Sequence, residues 1–406
     1  MNESKNIVVT PGGKWQVPIV QKIKSMGHKA FVIDSNEGAP SFKYADGHLV
    51  GDIFNVETCV AYCKEVGANA ILTEECDIVW DTIVHAADIL GITTLNHAAA
   101  LMYVNKYMMR EYAQKNGFPH PRYKLCRSAV DAYDFFEHEN GKAIIKPIDS
   151  YSSRGVFVVN SKADIDAHVA ETISQSRTAP EFLIEQYING VEFTVDGIKT
   201  PFGHFTLAIS EKKHYKHNDN IANELLFTHE NDNFDYGRIR ELIDTYVDNS
   251  PLKFGLTHTE YKYENGEFYM METAARGGGN LISSHIVPFM SGVDNYEYLV
   301  NCFLGNGLDV KRDFSVADRF KKRAAVLKFF TTPGNGGVVK AVHGIDYINS
   351  LPEIVSWKLN FEVGSSIEPP KNDGARIGYY IACCESIDEL HEIMANVEKQ
   401  VAFDLM

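Results

Sequence analysis

The chain has no long hydrophobic run, no surplus of positive charge and no paired-cysteine motif, and each gap narrows what it can do. No apolar stretch approaches the roughly eighteen residues of a membrane span. The N-terminus, Met1-Asn2-Glu3-Ser4-Lys5, is polar and leads straight into the apolar run 7–9, which reads as a buried strand rather than a secretory leader. A formal charge of −15 argues against a nucleic-acid-coating surface, although a local cluster of cations and bound metal could still receive a phosphorylated small ligand. The seven cysteines (59, 63, 76, 126, 302, 383, 384) are odd in number and form no Cys-x-x-Cys, so reduced thiols in a cytoplasmic protein are expected. Cys59 and Cys63, four apart on a helix with no second pair, read as packing. Gly-x-Gly-x-x-Gly, the Walker loop, internal repeats and low-complexity tracts are all absent.

What remains is a 406-residue chain, 45% hydrophobic and 23% charged, long enough for two or three domains with substantial cores. Up to residue 95, strands at 7–10, 30–34 and 70–73 alternate with helices at 17–26, 56–65 and 81–90, which implies a parallel α/β unit. Its Pro11-Gly12-Gly13 turn and Asp34 invite comparison with a dinucleotide site, but two glycines do not make the fingerprint. A helix over 105–116 is stopped by Gly117 and Pro119. Strands at 142–146 and 156–159 flank the polar loop 147–155, whose Ser152, Ser153, Arg154 and Gly155 could offer donors to phosphate. Further strands fall at 182–186 and 191–196, with a strand pair in 199–209. Residues 210–224, charged and without apolar periodicity, read as a mobile loop able to order around an anion. The last 85 residues or so carry strands at 324–331, 337–342, 354–361 and 377–383. A closing helix follows, opened by a Ser386/Glu389 capping box.

The segment 257–279 is the most telling. Residues 257–263 and 268–273 carry the β-branched and aromatic residues of strands, with Glu264-Asn265-Gly266 as the hairpin signal between them. Turn length decides where Glu260 and Glu272 point. A two-residue loop sets Glu260 across from Met271 and sends Glu272 to the opposite face. A three-residue loop, with Gly266 left-handed, places both carboxylates on one face. A shared metal site therefore predicts the three-residue turn, and an ordinary acidic hairpin is the competing reading.

In chain order these features resemble the ATP-grasp superfamily, especially its carboxylate-amine ligases, over nearly the whole chain. The resemblance implies a mixed α/β and α+β fold. Residues 1–95 would be a Rossmann-like pre-ATP domain, 96–310 a two-lobed ATP-grasp domain, and 320–406 a β-rich C-terminal lobe. It implies ATP as substrate and Mg2+, or alternatively Mn2+, as the metal. Residue by residue, Lys106 and Lys146 match the phosphate-contacting lysines. Ser152, Ser153, Arg154 and Gly155 match the phosphate loop. Glu185, Gln186 and Ile188 fall on the adenine-pairing strand, and Glu192 falls at the ribose carboxylate. Glu260 and Glu272 match the metal ligands, and Arg276 the guanidinium that steadies the transferring phosphoryl group.

Two departures stand out. Gly155 is the one glycine of the phosphate loop, and the usual Glu-x-Asn-x-Arg appears as Glu272-Thr273-Ala274-Ala275-Arg276. Ala274 cannot coordinate a metal, and this form is similar to the L-amino-acid ligases. The implied activity is amide formation from a small carboxylate and an amine, an amino acid among them, through an acyl-phosphate. No nucleic acid or membrane takes part, and the family's habit makes a homodimer an option. Acceptor-pocket candidates are residues 277–280, the 210–224 stretch with His214 and His217, and the Gly12-Gly13 and Asp34 turns. The rivals are an ATP-dependent carboxylase or purine-pathway ligase, a non-catalytic nucleotide-binding regulator, and a nicotinamide dehydrogenase that fits the N-terminal unit alone.

Overall fold

Short apolar strands followed by amphipathic helices build the first sheet of the computed structural model, which describes residues 3–139, 141–150 and 154–406. Strands β1 (Asn6–Val9), β2 (Lys29–Asp34), β3 (Gly47–Val50) and β4 (Ala70–Leu72) pair in parallel in the order β3-β2-β1-β4. Such sheets need both faces covered. Helices Val17–Ser25, Val56–Glu65 and Trp80–Leu90 supply the cover. The Pro11-Gly12-Gly13 turn is used internally, since Asp34 Oδ2 accepts from Gly12 N at 2.7 Å. A Cβ on Gly12 would lie 2.6 Å from Val32 Cγ1, so the glycine serves close packing of turn against strand.

The second sheet is small and antiparallel: β5 (Tyr123–Cys126), β6 (Ala143–Pro147), β7 (Phe157–Val159) and β8 (Phe182–Gln186), in the order β5-β8-β6-β7. Helices Ala129–His138 and Lys162–Ser174 cover one face around Ile145, Val159, Ile165, Phe182 and Ile184. Strand alternation sends Lys146 and Glu185 to the other face.

The third sheet has eight strands. They are β9 (Val191–Thr200), β10 (Gly203–Tyr215), β11 (Asn218–Thr228), β12 (Gly255–Glu264), β13 (Glu267–Ala274), β14 (Ala324–Phe329), β16 (Ile354–Leu359) and β18 (Gly378–Cys384), ordered β13-β12-β9-β10-β11-β14-β18-β16. A short three-stranded sheet adds β15 (Gly337–His343), β17 (Ser366–Ile367) and β19 (Ala402–Leu405). The 324–384 strands thus continue the sheet that carries the 255–274 hairpin.

Two expectations need correction. Residues 210–224 are not a loop but the outer half of the β10–β11 hairpin, paired from Ile209↔Thr228 to Tyr215↔Asn218. Charge hid the strand: Lys212 is buried in ion pairs with Glu192 and Glu260 rather than solvated. The closing helix, Ile387–Gln400, has Ser386 as its cap, but the Glu389 carboxylate bonds Glu385 N rather than Ser386 N, so the box is not reciprocal.

Candidate active site

The Glu260–Glu272 hairpin closes with a two-residue turn, against the expected three. Asn265 and Gly266 both have positive φ (53° and 90°), and Glu264 pairs with Glu267. That register alone would separate the carboxylates. Instead the ladder slips between Glu260 and Tyr261, leaving Met271 as a bulge residue, and Glu260 comes directly opposite Glu272. The bulge has partners. Arg110 Nη2 donates to Met271 O at 2.6 Å, and Met270 N donates to Pro119 O at 3.1 Å. Directly opposed residues share a face, so the common-face geometry stands, with the extra residue at Met271 rather than in the turn.

One helix organises what faces this pair. Asn105 caps helix Lys106–Asn116, its side chain accepting from Met108 N at 3.1 Å. Lys106 and Arg110, four apart, lie on one face. Lys106 Nζ reaches Glu272 Oε1 at 2.8 Å and Ser150 O at 2.8 Å. Arg110 reaches Glu185 (Nε to Oε1, 2.9 Å) besides the bulge carbonyl. The helix therefore ties the carboxylates of both sheets to one rigid element.

Lys146 Nζ lies 2.7 Å from Glu185 Oε2. Burial, opposed by Glu185 and reinforced by Arg110, brings the Lys146 amine down to about 8. Burial also raises the Glu185 carboxyl, yet Arg110 and Lys146 outweigh it and leave it below the usual range. Glu185, expected on an adenine-pairing strand, has its side chain fully buried between the two cations. Gln186 N donates to Arg122 O at 2.9 Å, and the Ile188 carbonyl faces Lys262 Nζ at 3.5 Å. Residues 187–190 link the small sheet to the large one.

On the large sheet Lys212, unforeseen from the sequence, sits 2.5 Å from Glu192 Oε1 and 2.8 Å from Glu260 Oε1. His214 Nε2 lies 3.2 Å from Glu192 Oε2. His217, by contrast, faces Pro370 O. Lys212 holds the Glu260 carboxyl below its usual range against burial and Glu192. Burial of Glu192 is likewise overcome by Lys212 and His214, so its carboxyl stays far below the usual range. Glu260 and Glu272 keep about a third of their side-chain surface open (35% and 34%).

Arg276 turns towards the first sheet, 3.8 Å from Asp77 Oδ2, with Nη1 donating to Gly277 O at 2.8 Å. Beside it Glu74 Oε2 accepts from Gly277 N at 3.0 Å, and Asp196 Oδ1 accepts from Gly278 N at 3.0 Å and meets His258 Nδ1 at 2.9 Å. Burial lifts the carboxyls of Glu74 and Glu75, the latter further because Glu74 is its neighbour. The glycines are needed here, since a Cβ on Gly277 would lie 2.4 Å from Glu74 Oε1 and one on Gly278 2.6 Å from Asp196 Oδ1. The signal for these carboxylates was present as Glu74-Glu75-Cys76-Asp77 at the C-terminal end of a buried strand, where open α/β sheets place ligands.

In the loop expected to hold phosphate, Gly155 has φ of 69° and its carbonyl accepts from Thr172 Oγ1 at 2.9 Å, while Arg154 O accepts from Ser150 Oγ at 3.0 Å. Ser152 and Ser153 lie outside the described residues.

Two acidic groups side by side, each offset by a lysine and still open, suit a hard divalent cation. No group of three or more His, Cys, Asp or Glu suited to a metal occurs among the described residues. Mg2+ is usually held by one or two carboxylates with phosphate and water completing the shell.

A family model described as an ATP-grasp domain matches residues 140–285, and one for the L-amino acid ligase C-terminal domain 2 matches residues 329–406. The chain carries an ATP-grasp domain. In fold it is similar along its whole length to the L-amino acid ligase from Bacillus licheniformis, with a TM-score of 0.80, 17% identity and full coverage of both chains. Among curated proteins it is 22% identical to dapdiamide A synthase from Enterobacter agglomerans over 69% of each chain. It is 23% identical to the formate-dependent phosphoribosylglycinamide formyltransferase of Methanococcus vannielii, over 50% of this chain and 53% of that one. Across eight curated relatives it spans between 25% and 69% of their length. Among the described residues, no helix is long and apolar enough to cross a membrane.

Proposed function

We propose that the protein is an ATP-dependent carboxylate–amine ligase that forms an amide through an acyl-phosphate and releases ADP and phosphate. The observation that carries this reading is Glu260 opposite Glu272 on one open sheet face, met by Lys106 and Lys212. Glu260 and Glu272 would hold Mg2+, which when bound neutralises charge on the ATP phosphates. Lys106 and Lys146 would meet phosphate oxygens, and Glu192 the ribose. The phosphate-loop serines and Gly155 would close over the nucleotide, with the Gln186 to Ile188 segment along the adenine.

A carboxylate resists nucleophilic attack because of its charge and resonance. Transfer of the γ-phosphoryl group to its oxygen removes both obstacles. The amine nitrogen then bonds to the acyl carbon, the carbon–oxygen bond to phosphate breaks, and the amine loses a proton. Such catalysis is largely positioning and charge neutralisation. Arg276 would offset charge on the acyl-phosphate.

A second observation favours an amine over bicarbonate. Glu74, Glu75, Asp77 and Asp196 surround Arg276 and the Gly277–Gly278 backbone. Charged or neutral, these carboxyl groups offer acceptor oxygens that suit an ammonium, as an amino acid would bring, better than an anionic co-substrate. In this reading residues 1–95 are the pre-ATP domain, 96–310 the ATP-grasp domain, and 320–406 the β-rich C-terminal lobe whose strands extend the large sheet. The test is a matrix of amino acids and other carboxylates with ATP and Mg2+, read by ADP release and product mass. Release requiring two co-substrates, with an amide product, is expected. Release driven by bicarbonate alone would replace the ligase reading with a carboxylase.

A further inference from the structure

The large sheet carries a second candidate site on the side away from the hairpin carboxylates. A cavity of about 470 Å3 lies between β14, β18, the end of helix Ile387–Gln400 and β19, within the roughly 300–1,000 Å3 of small-molecule sites. Phe330, Pro333, Val397, Val401 and Phe403 supply an apolar lining, and Lys328, Tyr380 and Glu398 supply the polar part. Tyr380 is 1% exposed and its hydroxyl has no hydrogen-bond partner. An orphaned buried hydroxyl costs about 1–3 kcal/mol, so such a group in a cavity wall points to a missing partner. Lys328 contacts Glu398 directly and Glu224 at 3.1 Å.

Lys328 and Glu398 present opposite charges side by side beside an apolar hollow. Their complement is an occupant whose own opposite charges are adjacent and attached to an apolar group. An α-amino acid has both charges on one carbon, whereas a peptide separates them by at least one residue. The row also reaches the catalytic strands. Lys213, Glu224, Lys328 and Tyr380 are consecutive cross-strand partners on β10, β11, β14 and β18. Lys212, the next residue on β10, points to the opposite face and holds Glu192 and Glu260. The β10–β11 register is irregular immediately beyond, at Lys213/His214 and His214/Tyr215. A strand with an irregular end is a segment that an ion-pair exchange can shift.

We propose that this cavity is an effector site for a free α-amino acid with a branched or aromatic side chain, whose occupancy changes nucleotide affinity through β10. Its ammonium pairs with Glu398, its carboxylate with Lys328 and the Tyr380 hydroxyl, and its side chain fills the apolar hollow. The proposal stands whether or not the catalytic reaction is amide formation.

The experiment is calorimetric titration of the full chain with L-phenylalanine, L-leucine and the dipeptide Phe-Phe, followed by MgADP titration with and without the ligand. Tyr380→Phe and Ala402→Trp are compared with wild type. Ala402 is exposed at the cavity edge, so tryptophan there blocks the hollow without entering the core. The expected result is binding of at least one free amino acid and at least a threefold shift in MgADP affinity. Tyr380→Phe should weaken the amino acid about tenfold, and Ala402→Trp should abolish its binding, with MgADP binding otherwise as in wild type. No binding to wild type, binding unchanged in both variants, preference for the dipeptide, or an unshifted MgADP affinity would each overturn it. The co-substrate matrix reports separately on the ligase reading.

Discussion

Two clusters of acid and base meet helix Lys106–Asn116, one through Arg110 and one through Lys106, and they are built for different ends. On the small sheet Glu185 is fully buried and saturated by Arg110 and Lys146. On the large sheet Glu260 and Glu272 remain a third open, each matched by one lysine. A saturated buried triad fixes geometry, because removing one member strands the others in low dielectric. An open, half-compensated pair can exchange its lysine contact for a metal ion. The difference separates residues that shape the cleft from those that would act in it.

The largest expected effect breaks the first cluster. Glu185→Ala leaves two cations buried without their anion and should cost about 3–5 kcal/mol of stability, read by denaturant unfolding. A loss below 1 kcal/mol would mean that the triad is not holding the lobe. Next come the residues proposed to act. Glu272→Ala and Arg276→Ala should each lower ATP turnover about 100- to 1000-fold while leaving the unfolding midpoint within a few degrees of wild type. Near-normal turnover in either would remove that residue from the site.

A smaller effect separates the lysines by pH. Lys146 titrates near 8 in the folded chain and near 10.4 unfolded. Between these values the unfolded state binds more protons, so this group's contribution to stability improves as pH rises from 8 to about 10.4. The ammonium that would meet phosphate is lost over the start of the same window. Nucleotide affinity should therefore fall several-fold between pH 7 and 9, and Lys146→Arg should flatten that profile. An equally steep profile in Lys146→Arg would assign the titration to another group. The smallest effect concerns the acidic patch near Arg276: Glu75→Gln should raise the amine KM several-fold with little change in ATP KM. Equal changes in both would make Glu75 a structural residue.

The fold was largely legible because the parallel unit, the hairpin and the closing helix each declare themselves locally, by strand–helix alternation, Asn-Gly and the Ser386 cap. The candidate residues could be named from the sequence, but how they stand to one another could not. The two-residue turn follows from Asn265-Gly266 itself. The compensating bulge depends on Arg110, 161 residues earlier, reaching the Met271 carbonyl, and no local pattern carries that. Lys212 was hidden for a related reason: the charged run Glu211-Lys212-Lys213 on β10 reads as solvated until β9 and β12 bring Glu192 and Glu260 beside it. The Glu74–Asp77 run needed only the topology that sets the end of β4 against residues 276–278.

The most direct test of the central claim is ADP binding measured with and without Mg2+ in wild type, Glu260→Gln and Glu272→Gln. Mg2+ should tighten ADP at least tenfold in wild type and fail to do so in either variant, with metal-free ADP affinity preserved. A full Mg2+ effect in both variants would contradict the assignment of this carboxylate pair as the metal site.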